Sequence, residues 1–311
     1  MNNLSLSVIV PLYNEEDNVD ILYDSIVKSI DPLNIMYEIL FVDDGSKDRT
    51  FSKAREIAQK DERLRVIKFR KNYGQTSAMA AGIAIARGEI LITMDGDLQN
   101  DPEDIPEFIK KVEEGSDIVC GWRHKRQDKL LTRKIPSVIA NWIIGKITGI
   151  PIKDNGCSLK AYRAEIIKAI PLYSDMHRFI PAMSSIAGTK VAQLKVRHHP
   201  RKFGVSKYGI TRIYKVIVDL LVIKTILSFT SKPLHLFAIS GLFSMVTGVV
   251  MFFLSFEGLL TGRVSIDFMF ASGALLCIIL SIFFIMVGLL CELIQKTGNF
   301  TEFSDLKSTI E

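Results

Sequence analysis

Two long apolar runs near the carboxyl end of the chain constrain its fold more than any other feature. Leu234–Phe256 and Phe268–Cys291 contain no Asp, Glu, Lys or Arg. Each run exceeds the about 20 residues that a helix needs to cross a bilayer. A buried core helix is the alternative for either run alone, but not for two such runs in tandem. We therefore predict a two-helix transmembrane hairpin over residues 233–291, followed by a cytoplasmic tail over 292–311.

The distribution of charge predicts which side of the membrane holds the rest of the chain. Seven Lys or Arg and no acid lie between Lys195 and Lys215, whereas the loop between the two apolar runs holds one Arg and two acids. Lys and Arg are enriched in the cytoplasmic segments of membrane proteins. We therefore expect an integral protein of the inner or plasma membrane, with the large amino-terminal domain and both termini in the cytoplasm.

Short β-rich runs alternate with helical patterns in the first part of the chain. One helical pattern covers residues 76–86, which are rich in alanine. Strands that alternate with helices predict an α/β domain with a mostly parallel sheet, in which ligands bind beyond the carboxyl ends of the strands. The predicted strands cover residues 6–11, 37–42, 64–69, 89–94 and 116–121.

Acidic residues follow three of these strands. Glu15 comes after the first, Asp43 and Asp44 end the second, and Asp95 and Asp97 follow the fourth. Crowded like charges cost free energy unless a cation or a hydrogen-bonding ligand compensates them. Carboxylates are ligands for Mg²⁺, which proteins often hold with one or two acids and the phosphates of a substrate. These acids therefore predict a site for a metal ion and a diphosphate.

Other motifs of nucleotide binding are missing from the sequence. It contains neither G-x-G-x-x-G nor G-x-x-x-x-G-K-[ST], which disfavours a dinucleotide cofactor and a P-loop. Asp101 precedes Pro102 and two further acids, which is typical of a residue that caps the start of a helix. The basic tracts match no nucleic-acid-binding module, so no nucleic-acid partner is expected.

Five segments resemble the family 2 glycosyltransferases, and more narrowly the polyprenyl-phosphate sugar transferases of the dolichol-phosphate mannose synthase and bactoprenol glucosyltransferase group. The resemblance covers about residues 5–230. It implies a GT-A fold, which is a Rossmann-like domain with a mostly parallel sheet, a nucleotide-diphosphosugar donor and bound Mg²⁺ or Mn²⁺. The segments are VIVPLYNEEDNV, EILFVDDGSKDRT, NYGQTSAMAAG, ARGEILITMDGDLQNDP and HHPRKFGVSKYG.

The resemblance also implies roles for individual residues. The base and ribose are expected to lie against Pro11, Tyr13 and Glu15, and the nucleotide to contact Asp43 and Asp44. The metal and diphosphate loop contains Asp95, Asp97 and Gln99, and the basic motif that meets the phosphates contains Arg201, Ser206 and Lys207. Asp95 and Ser206 are also expected to contact the nucleotide, and Asp97, Arg201 and Lys207 to take part in catalysis.

A polar stripe recurs every four residues after the GT-A domain, which we assign to residues 1–205. Lys207, Thr211, Lys215 and Asp219 form this stripe on an otherwise apolar pattern. Such a pattern predicts an amphipathic helix at the membrane interface over residues 206–232, with a plain core helix as the alternative. The basic segment at 122–134 could meet anionic lipids, serve as an acceptor loop or simply be solvated.

The expected reaction is inverting, metal-dependent transfer of a hexose from UDP or GDP to polyprenyl phosphate. The acceptor phosphate is already ionised near neutral pH, so a general base is not strictly required, and Asp154 is the candidate if one acts. Alternatives are another membrane glycan or glycolipid acceptor, or an inactive scaffold that binds nucleotide sugar. A processive synthase would normally carry Q-x-x-R-W, which is missing here. Since one hairpin offers little packing area, a homo-oligomer is a further hypothesis.

Overall fold

The structure is a computed structural model, and it divides into two compact units, Met1–Leu221 and Val222–Glu311. Some predicted features lie outside the described residues: the interfacial helix at 206–232 and most of the basic segment at 122–134. The described residues are 4–123, 145, 151–170, 172, 180–184, 188–200, 233–256 and 268–307, without the side chains of 182, 233 and 295–307.

Strands and helices alternate through most of the first unit, as the pattern predicts. Short 3₁₀ turns cover Asp31–Leu33 and Pro102–Asp104. In chain order the elements are β1 Leu6–Leu12, α1 Val19–Ile30, β2 Tyr37–Asp43, α2 Thr50–Ala58, β3 Leu64–Lys68, α3 Gln75–Ile85, β4 Ile90–Thr93, α4 Ile105–Glu113, β5 Ile118–Arg123, β6 Lys160–Arg163, α5 Ala164–Lys168, α6 Ile180–Ser184 and β7 Val191–Val196.

The strands form one mixed sheet in the order β3-β2-β1-β4-β6-β5-β7. Within the described residues β6 alone runs against the others, because it pairs antiparallel with both β4 and β5. The remaining pairs are parallel. In the register, Thr93 near the end of β4 pairs with Lys160 at the start of β6. The loop before β6 therefore reaches the same edge of the sheet as the carboxyl ends of its neighbours.

Apolar side chains cover both faces of the sheet and fix the register. Successive residues of a strand point to opposite faces, and β1 divides its side chains in this way. Val8 and Val10 join the core beneath α1 and α4, whereas Ile9 joins the core beneath α3. A slip of one residue would move each set into the opposite core, where it would no longer match the helices packed there. This three-layer packing holds the strand ends at fixed positions relative to one another.

The five predicted strands and the helix at 76–86 are confirmed within a residue or two. The sequence analysis did not find β6 and β7. Both are short and carry polar residues such as Lys160, Gln193 and Lys195, so neither gives a clear β pattern. The sheet is consequently larger than predicted and contains one antiparallel strand, although it remains mostly parallel.

The second unit contains α7, Pro233–Ser255, and α8, Phe268–Lys307. The apolar parts have mean hydropathies of 2.1 and 3.0, and both are long and apolar enough to cross a membrane. Gly241 and Gly248 let the two backbones approach, since a β-carbon at either position would lie 3.2 or 3.1 Å from a carbonyl oxygen of the other helix. Ser244 Oγ also donates a hydrogen bond to the carbonyl of Cys277 at 2.8 Å. Helix α8 continues beyond the predicted end of the second span at residue 291.

Large apolar side chains cover the outside of this helix pair. Phe243, Phe253 and Phe268 are more than two-thirds exposed. A contiguous apolar surface of this kind is costly in water and is typical of a surface that contacts lipid or protein. Composition, length and exposure therefore agree with a membrane hairpin.

Candidate functional site

Hydrogen bonds join the loops that follow β1 and β2. The backbone N–H of Asn14 donates to Ser46 Oγ at 2.9 Å, and Lys47 N–H donates to Asn14 Oδ1 at 2.9 Å. The backbone N–H of Glu15 donates to Thr50 Oγ1 at 2.8 Å. The two acidic motifs are thus one structural element, and the segment containing Pro11, Tyr13 and Glu15 lies beside the end of β2.

Asp44 holds a third loop, the one before α3. Its two carboxylate oxygens accept hydrogen bonds from the backbone N–H groups of Tyr73 at 2.7 Å and Gly74 at 2.9 Å. Burial raises the pKa of Asp44, and the charge of Asp43 acts in the same direction, against the effect of the two N–H donors. Asp44 therefore has a supporting role in the structure, and its predicted contact with the nucleotide stays a prediction.

Asp43 is fully buried at the end of β2. Its Oδ1 accepts a hydrogen bond from the backbone N–H of Ser46 at 3.2 Å, whereas its Oδ2 has no hydrogen-bond partner among the described residues. Buried polar atoms without a partner are rare in native proteins. The Oδ2 atom is an acceptor of the kind that a ribose hydroxyl or a base N–H would satisfy.

The loop after β4 carries the two acids proposed for the metal. Asp95 is half-buried and accepts a hydrogen bond from Gln75 Nε2, whereas Asp97 is only 6% exposed. The backbone N–H of Gln99 donates to Asp97 Oδ1 at 3.2 Å, and Leu98 between them has a φ of +59°. A left-handed leucine is an uncommon conformation that surrounding packing has to maintain. The backbone bond and this turn fix the relative positions of Asp97 and Gln99.

Gly96 explains how this loop lies against β1. A β-carbon at position 96 would be 2.4 Å from Leu12 Cδ2 and 3.3 Å from the carbonyl oxygen of Pro11. Only glycine allows so close an approach without a shift of Leu12. The predicted metal loop and the predicted nucleotide-binding segment therefore meet at the carboxyl ends of β1 and β4.

The donor atoms at this edge fit a divalent cation that is shared with a substrate. Asp95 and Asp97 supply hard oxygen ligands. The described part of the chain contains no cluster of three or more His, Cys, Asp or Glu arranged to hold a metal ion. Mg²⁺ commonly takes one or two carboxylates and fills its remaining positions with phosphate oxygens and water. The two aspartates thus suit an ion that binds with a diphosphate.

The segment after β7 is fastened to the chain that follows the metal loop. Arg197 Nε donates to Asp104 Oδ1 at 2.9 Å, and His199 Nε2 lies 3.0 Å from Asp101 Oδ2. Asp101 Oδ1 also accepts a hydrogen bond from the backbone N–H of Glu103 at 3.0 Å, which confirms the predicted cap. These contacts hold residues 197–199 next to the site. Arg201, Ser206 and Lys207 lie outside the described residues, and their roles stay predictions.

Asp154 and Arg123 form a buried ion pair at the same edge. Arg123 Nε donates to Asp154 Oδ2 at 2.7 Å, and Arg123 Nη2 donates to Asp154 Oδ1 at 2.8 Å. The sequence analysis named Asp154 but missed Arg123, which the structure places at the end of β5. The only local signal was its position at the end of an apolar run. The charge of Asp95 also acts to raise the pKa of the Arg123 guanidinium.

Comparison with known proteins identifies the family of the chain. Residues 7–170 match the model of glycosyl transferase family 2. Dodecaprenyl-phosphate galacturonate synthase from Rhizobium johnstonii is 40% identical over 96% of this chain and 89% of its own length. Undecaprenyl-phosphate 4-deoxy-4-formamido-L-arabinose transferase from Photorhabdus laumondii is 35% identical over 94% of this chain and 90% of its own length. The likeness thus extends through the helical hairpin.

Solved structures show the same fold at lower identity. Glucosyl-3-phosphoglycerate synthase from Mycobacterium tuberculosis, in complex with Mn²⁺, UDP and phosphoglyceric acid, matches with a TM-score of 0.55 and 19% identity, over 71% of this chain and 78% of that one. Mannosyl-3-phosphoglycerate synthase from Rubrobacter xylanophilus matches with a TM-score of 0.55 and 15% identity, over 70% and 73%. The first unit has the GT-A fold, and the chain belongs to glycosyl transferase family 2, among its polyprenyl-phosphate sugar transferases.

Proposed function

We propose that the protein transfers a monosaccharide from a nucleotide diphosphosugar to a polyprenyl phosphate at the cytoplasmic face of the membrane. The observation that carries this proposal is the meeting of Asp43, Asp95 and Asp97 at the carboxyl ends of β2 and β4, on either side of β1, in a chain with two helices long and apolar enough to cross a membrane. Relatives named for sugar transfer to dodecaprenyl and undecaprenyl phosphate support the acceptor class.

The donor's nucleotide is proposed to bind along the ends of β1 and β2. Asp43 Oδ2 would accept a hydrogen bond from the nucleotide, since no described residue satisfies this buried atom. Tyr13 and Glu15 would border the base and ribose from the loop after β1. Asp44 would act indirectly, because it holds the Tyr73–Gly74 loop beside them.

The diphosphate is proposed to bind at Asp95 and Asp97. Mg²⁺ or Mn²⁺ held there would neutralise charge on the departing nucleoside diphosphate. Gln99 is kept beside Asp97 by its backbone bond and would complete the loop around the phosphates. Arg201 and Lys207 would add positive charge, as the motif resemblance implies. Such cations act most strongly where negative charge develops in the transition state.

The reaction is proposed to be a single displacement with inversion. An ionised oxygen of the polyprenyl phosphate attacks C1 of the sugar, and the bond from C1 to the diphosphate oxygen breaks on the opposite side. The bonding electrons leave with the nucleoside diphosphate, so no proton has to move in this step. The hairpin would keep the enzyme in the membrane that contains its lipid acceptor.

The test is transfer by the purified full chain in nanodiscs that contain undecaprenyl phosphate. Labelled UDP-galacturonic acid, UDP-4-deoxy-4-formamido-L-arabinose, UDP-glucose and GDP-mannose serve as donors, with Mg²⁺ or Mn²⁺. We expect one donor to label the lipid phase, and we expect EDTA and the Asp97→Asn variant to abolish that label. Arg65→Lys is a matched control, since Arg65 lies at the opposite end of the sheet.

Two results would contradict the proposal. Equal transfer in nanodiscs without undecaprenyl phosphate would indicate another membrane acceptor. No transfer from any donor, although calorimetry shows that one of them binds, would indicate a binding scaffold rather than a polyprenyl-phosphate transferase.

A further inference from the structure

Uncharged side chains anchor both ends of the metal loop, residues 95–100. At its start, Gln75 Nε2 donates a hydrogen bond of 2.5 Å to Asp95 Oδ1. At its end, Asn100 Nδ2 donates to Ser158 Oγ at 2.7 Å. Gln75 is the first residue of α3, and Ser158 belongs to the loop before β6. The metal loop is therefore fastened to α3 on one side and to the loop before β6 on the other.

The packing of α3 fixes the position of Gln75. Just before it, the backbone N–H of Gly74 donates to Asp44 Oδ2 at 2.9 Å. Further along the helix, a β-carbon at Gly82 would lie only 2.4 Å from Ile9 Cγ2, so α3 lies directly on the sheet. The amide of Gln75 thus reaches the metal loop from a support that the sheet holds in place.

Asn100 is only 4% exposed, and it joins three segments of the chain. Its partner Ser158 is held to β4, because Thr93 Oγ1 donates to the carbonyl of Ser158 at 3.0 Å. The backbone of Asn100 also forms an antiparallel bridge with His198, in the segment after β7. Asn100 therefore fixes where the metal loop ends relative to the sheet.

An uncharged amide orients a carboxylate without bringing a positive charge of its own. At the amino end of the sheet, by contrast, Arg65 Nη1 donates to the buried carboxylate of Glu38 at 2.8 Å. A cation bonded in this way stabilises the charged form of the acid, and it would compete with a metal ion for the same oxygens. Gln75 directs the Asp95 carboxylate without competing for it in this way.

We propose that Gln75 and Asn100 are positioning residues: they set the metal loop so that its two aspartates hold a divalent ion together with the diphosphate of the donor. This inference rests on the proposed function and adds to it the groups that orient the metal ligands. Gln75 acts directly on Asp95. Asn100 acts through the backbone, since it fixes the end of the short loop whose left-handed turn at Leu98 follows Asp97.

The test measures binding rather than turnover. Calorimetry gives the Kd of UDP and of GDP for the purified full chain in nanodiscs, with and without Mn²⁺. In the wild type we expect Mn²⁺ to tighten the binding of one of the two nucleotides. In Gln75→Met, and separately in Asn100→Leu, we expect the Kd with Mn²⁺ to rise by about three- to tenfold, the usual effect of one lost hydrogen bond. The Kd without Mn²⁺ should stay close to the wild-type value, because the orientation of the metal ligands then has no effect.

Ser158→Ala removes the hydrogen bond of Asn100 from its other end. It should reproduce the effect of Asn100→Leu, and the double variant should bind no more weakly than either single variant, since all three lack the same bond. Because Ser158 is half-buried, this variant gives an answer even if Asn100→Leu fails to fold. Thermal unfolding of each preparation checks that the Kd values refer to folded protein.

Two control variants remove comparable bonds that do not reach the metal loop. Ser77→Ala breaks the bond from Ser77 Oγ to the carbonyl of Tyr73 at 3.2 Å, in the same turn of α3 as Gln75. Thr189→Val breaks the bond from Thr189 Oγ1 to Ser184 Oγ at 2.9 Å, near the start of β7. We expect both controls to keep the wild-type Kd with and without Mn²⁺.

The results that would overturn the inference are specific. One is a wild-type Kd with Mn²⁺ in Gln75→Met, or in both Asn100→Leu and Ser158→Ala. Another is an equal loss of binding without Mn²⁺ or in the controls, since this would indicate a general weakening of the fold. If Mn²⁺ does not affect nucleotide binding to the wild type, the metal site of the proposed function fails instead, so the two failures are distinguishable.

Discussion

The two ends of the central sheet both bury carboxylates, but they treat them differently. At the amino end, Glu38 is 3% exposed and accepts hydrogen bonds from Ser7 Oγ at 2.8 Å, Arg65 Nη1 at 2.8 Å and the backbone N–H of Arg87 at 2.7 Å. Burial opposes the charge of Glu38, but these donors outweigh it and lower the pKa. At the amino end, groups of the protein itself therefore compensate the charge of the buried Glu38 carboxylate.

The carboxyl end gathers more acid and is less well compensated. Asp43 Oδ2 has no hydrogen-bond partner among the described residues, and the pKa of Asp44 is raised by burial and by the charge of Asp43. Asp95 and Asp97 lie on the adjoining loop. A buried carboxylate therefore indicates a functional site only when the protein itself leaves one of its oxygens without a hydrogen-bond donor.

The largest expected effect is on the rate of transfer, and it comes from neutralising Asp97 at the carboxyl end of the sheet. Asp97→Asn should lower the rate of transfer by at least ~100-fold, because Asp97 is a proposed ligand of the metal ion that would neutralise the leaving group. Its stability should change by less than about 1 kcal/mol. Initial rates and thermal unfolding of the same preparation measure both quantities. If the Asp97→Asn enzyme kept its activity, the carboxyl end of the sheet would not take part in catalysis.

Glu38→Gln should show the opposite behaviour. We expect a loss of about 2 kcal/mol in stability, because Arg65 and the backbone donors lose their anionic partner. The kcat of the folded fraction should equal that of the wild type. Thermal unfolding and rates measured well below the transition provide the comparison. A lowered kcat with unchanged stability would show that the amino end also serves catalysis.

A smaller effect concerns the dependence of stability on pH. Glu38 has a lowered pKa when folded, so its contribution is present above its unfolded pKa and is lost as pH falls. Asp44 has a raised pKa, so its contribution weakens stability as pH rises through that range. Between about pH 3 and 6, Glu38→Gln should therefore flatten the rise of stability with pH, and Asp44→Asn should steepen it. Equal slopes in both variants would contradict this.

The smallest expected effect is at the edge of the site. Asp101→Ala removes the cap of the 3₁₀ turn and the contact with His199. We expect a loss of about 1 kcal/mol in stability, with a fall in kcat of less than about threefold. Asp101→Asn, which can still cap, is the matched control. A loss of activity as large as that of Asp97→Asn would place Asp101 in the site itself.

The local sequence predicted those features that depend on neighbouring residues. Apolar runs of four to seven residues located β1 to β5, and the Asp101–Pro102 pair identified a cap. The Asp95–Asp97 loop was found because an acidic motif follows a buried strand. In these cases residue type, spacing and structure lie within one short segment, so no knowledge of distant contacts is required.

Features that depend on distant pairing were not predictable in this way. Arg123 and Asp154 are 31 positions apart, and their pairing depends on β5 and β6 lying side by side. Asp44 also holds the backbone of Tyr73 and Gly74, about 30 positions away, which its neighbours in the sequence did not indicate. A carboxylate motif indicates which residues could bind a ligand, whereas tertiary contacts decide which carboxylate oxygens already accept hydrogen bonds within the protein.

The reversed direction of β6 has a consequence for how such enzymes can diversify. Its register is fixed on both sides, by β4 and by β5, so the loop at 151–159 can change length or composition while the sheet stays in place. Because that loop enters at the carboxyl edge of the sheet, each change alters the surroundings of the candidate site. An antiparallel strand in this position therefore lets the wall of the candidate site vary while the strands that carry Asp43, Asp95 and Asp97 keep their register.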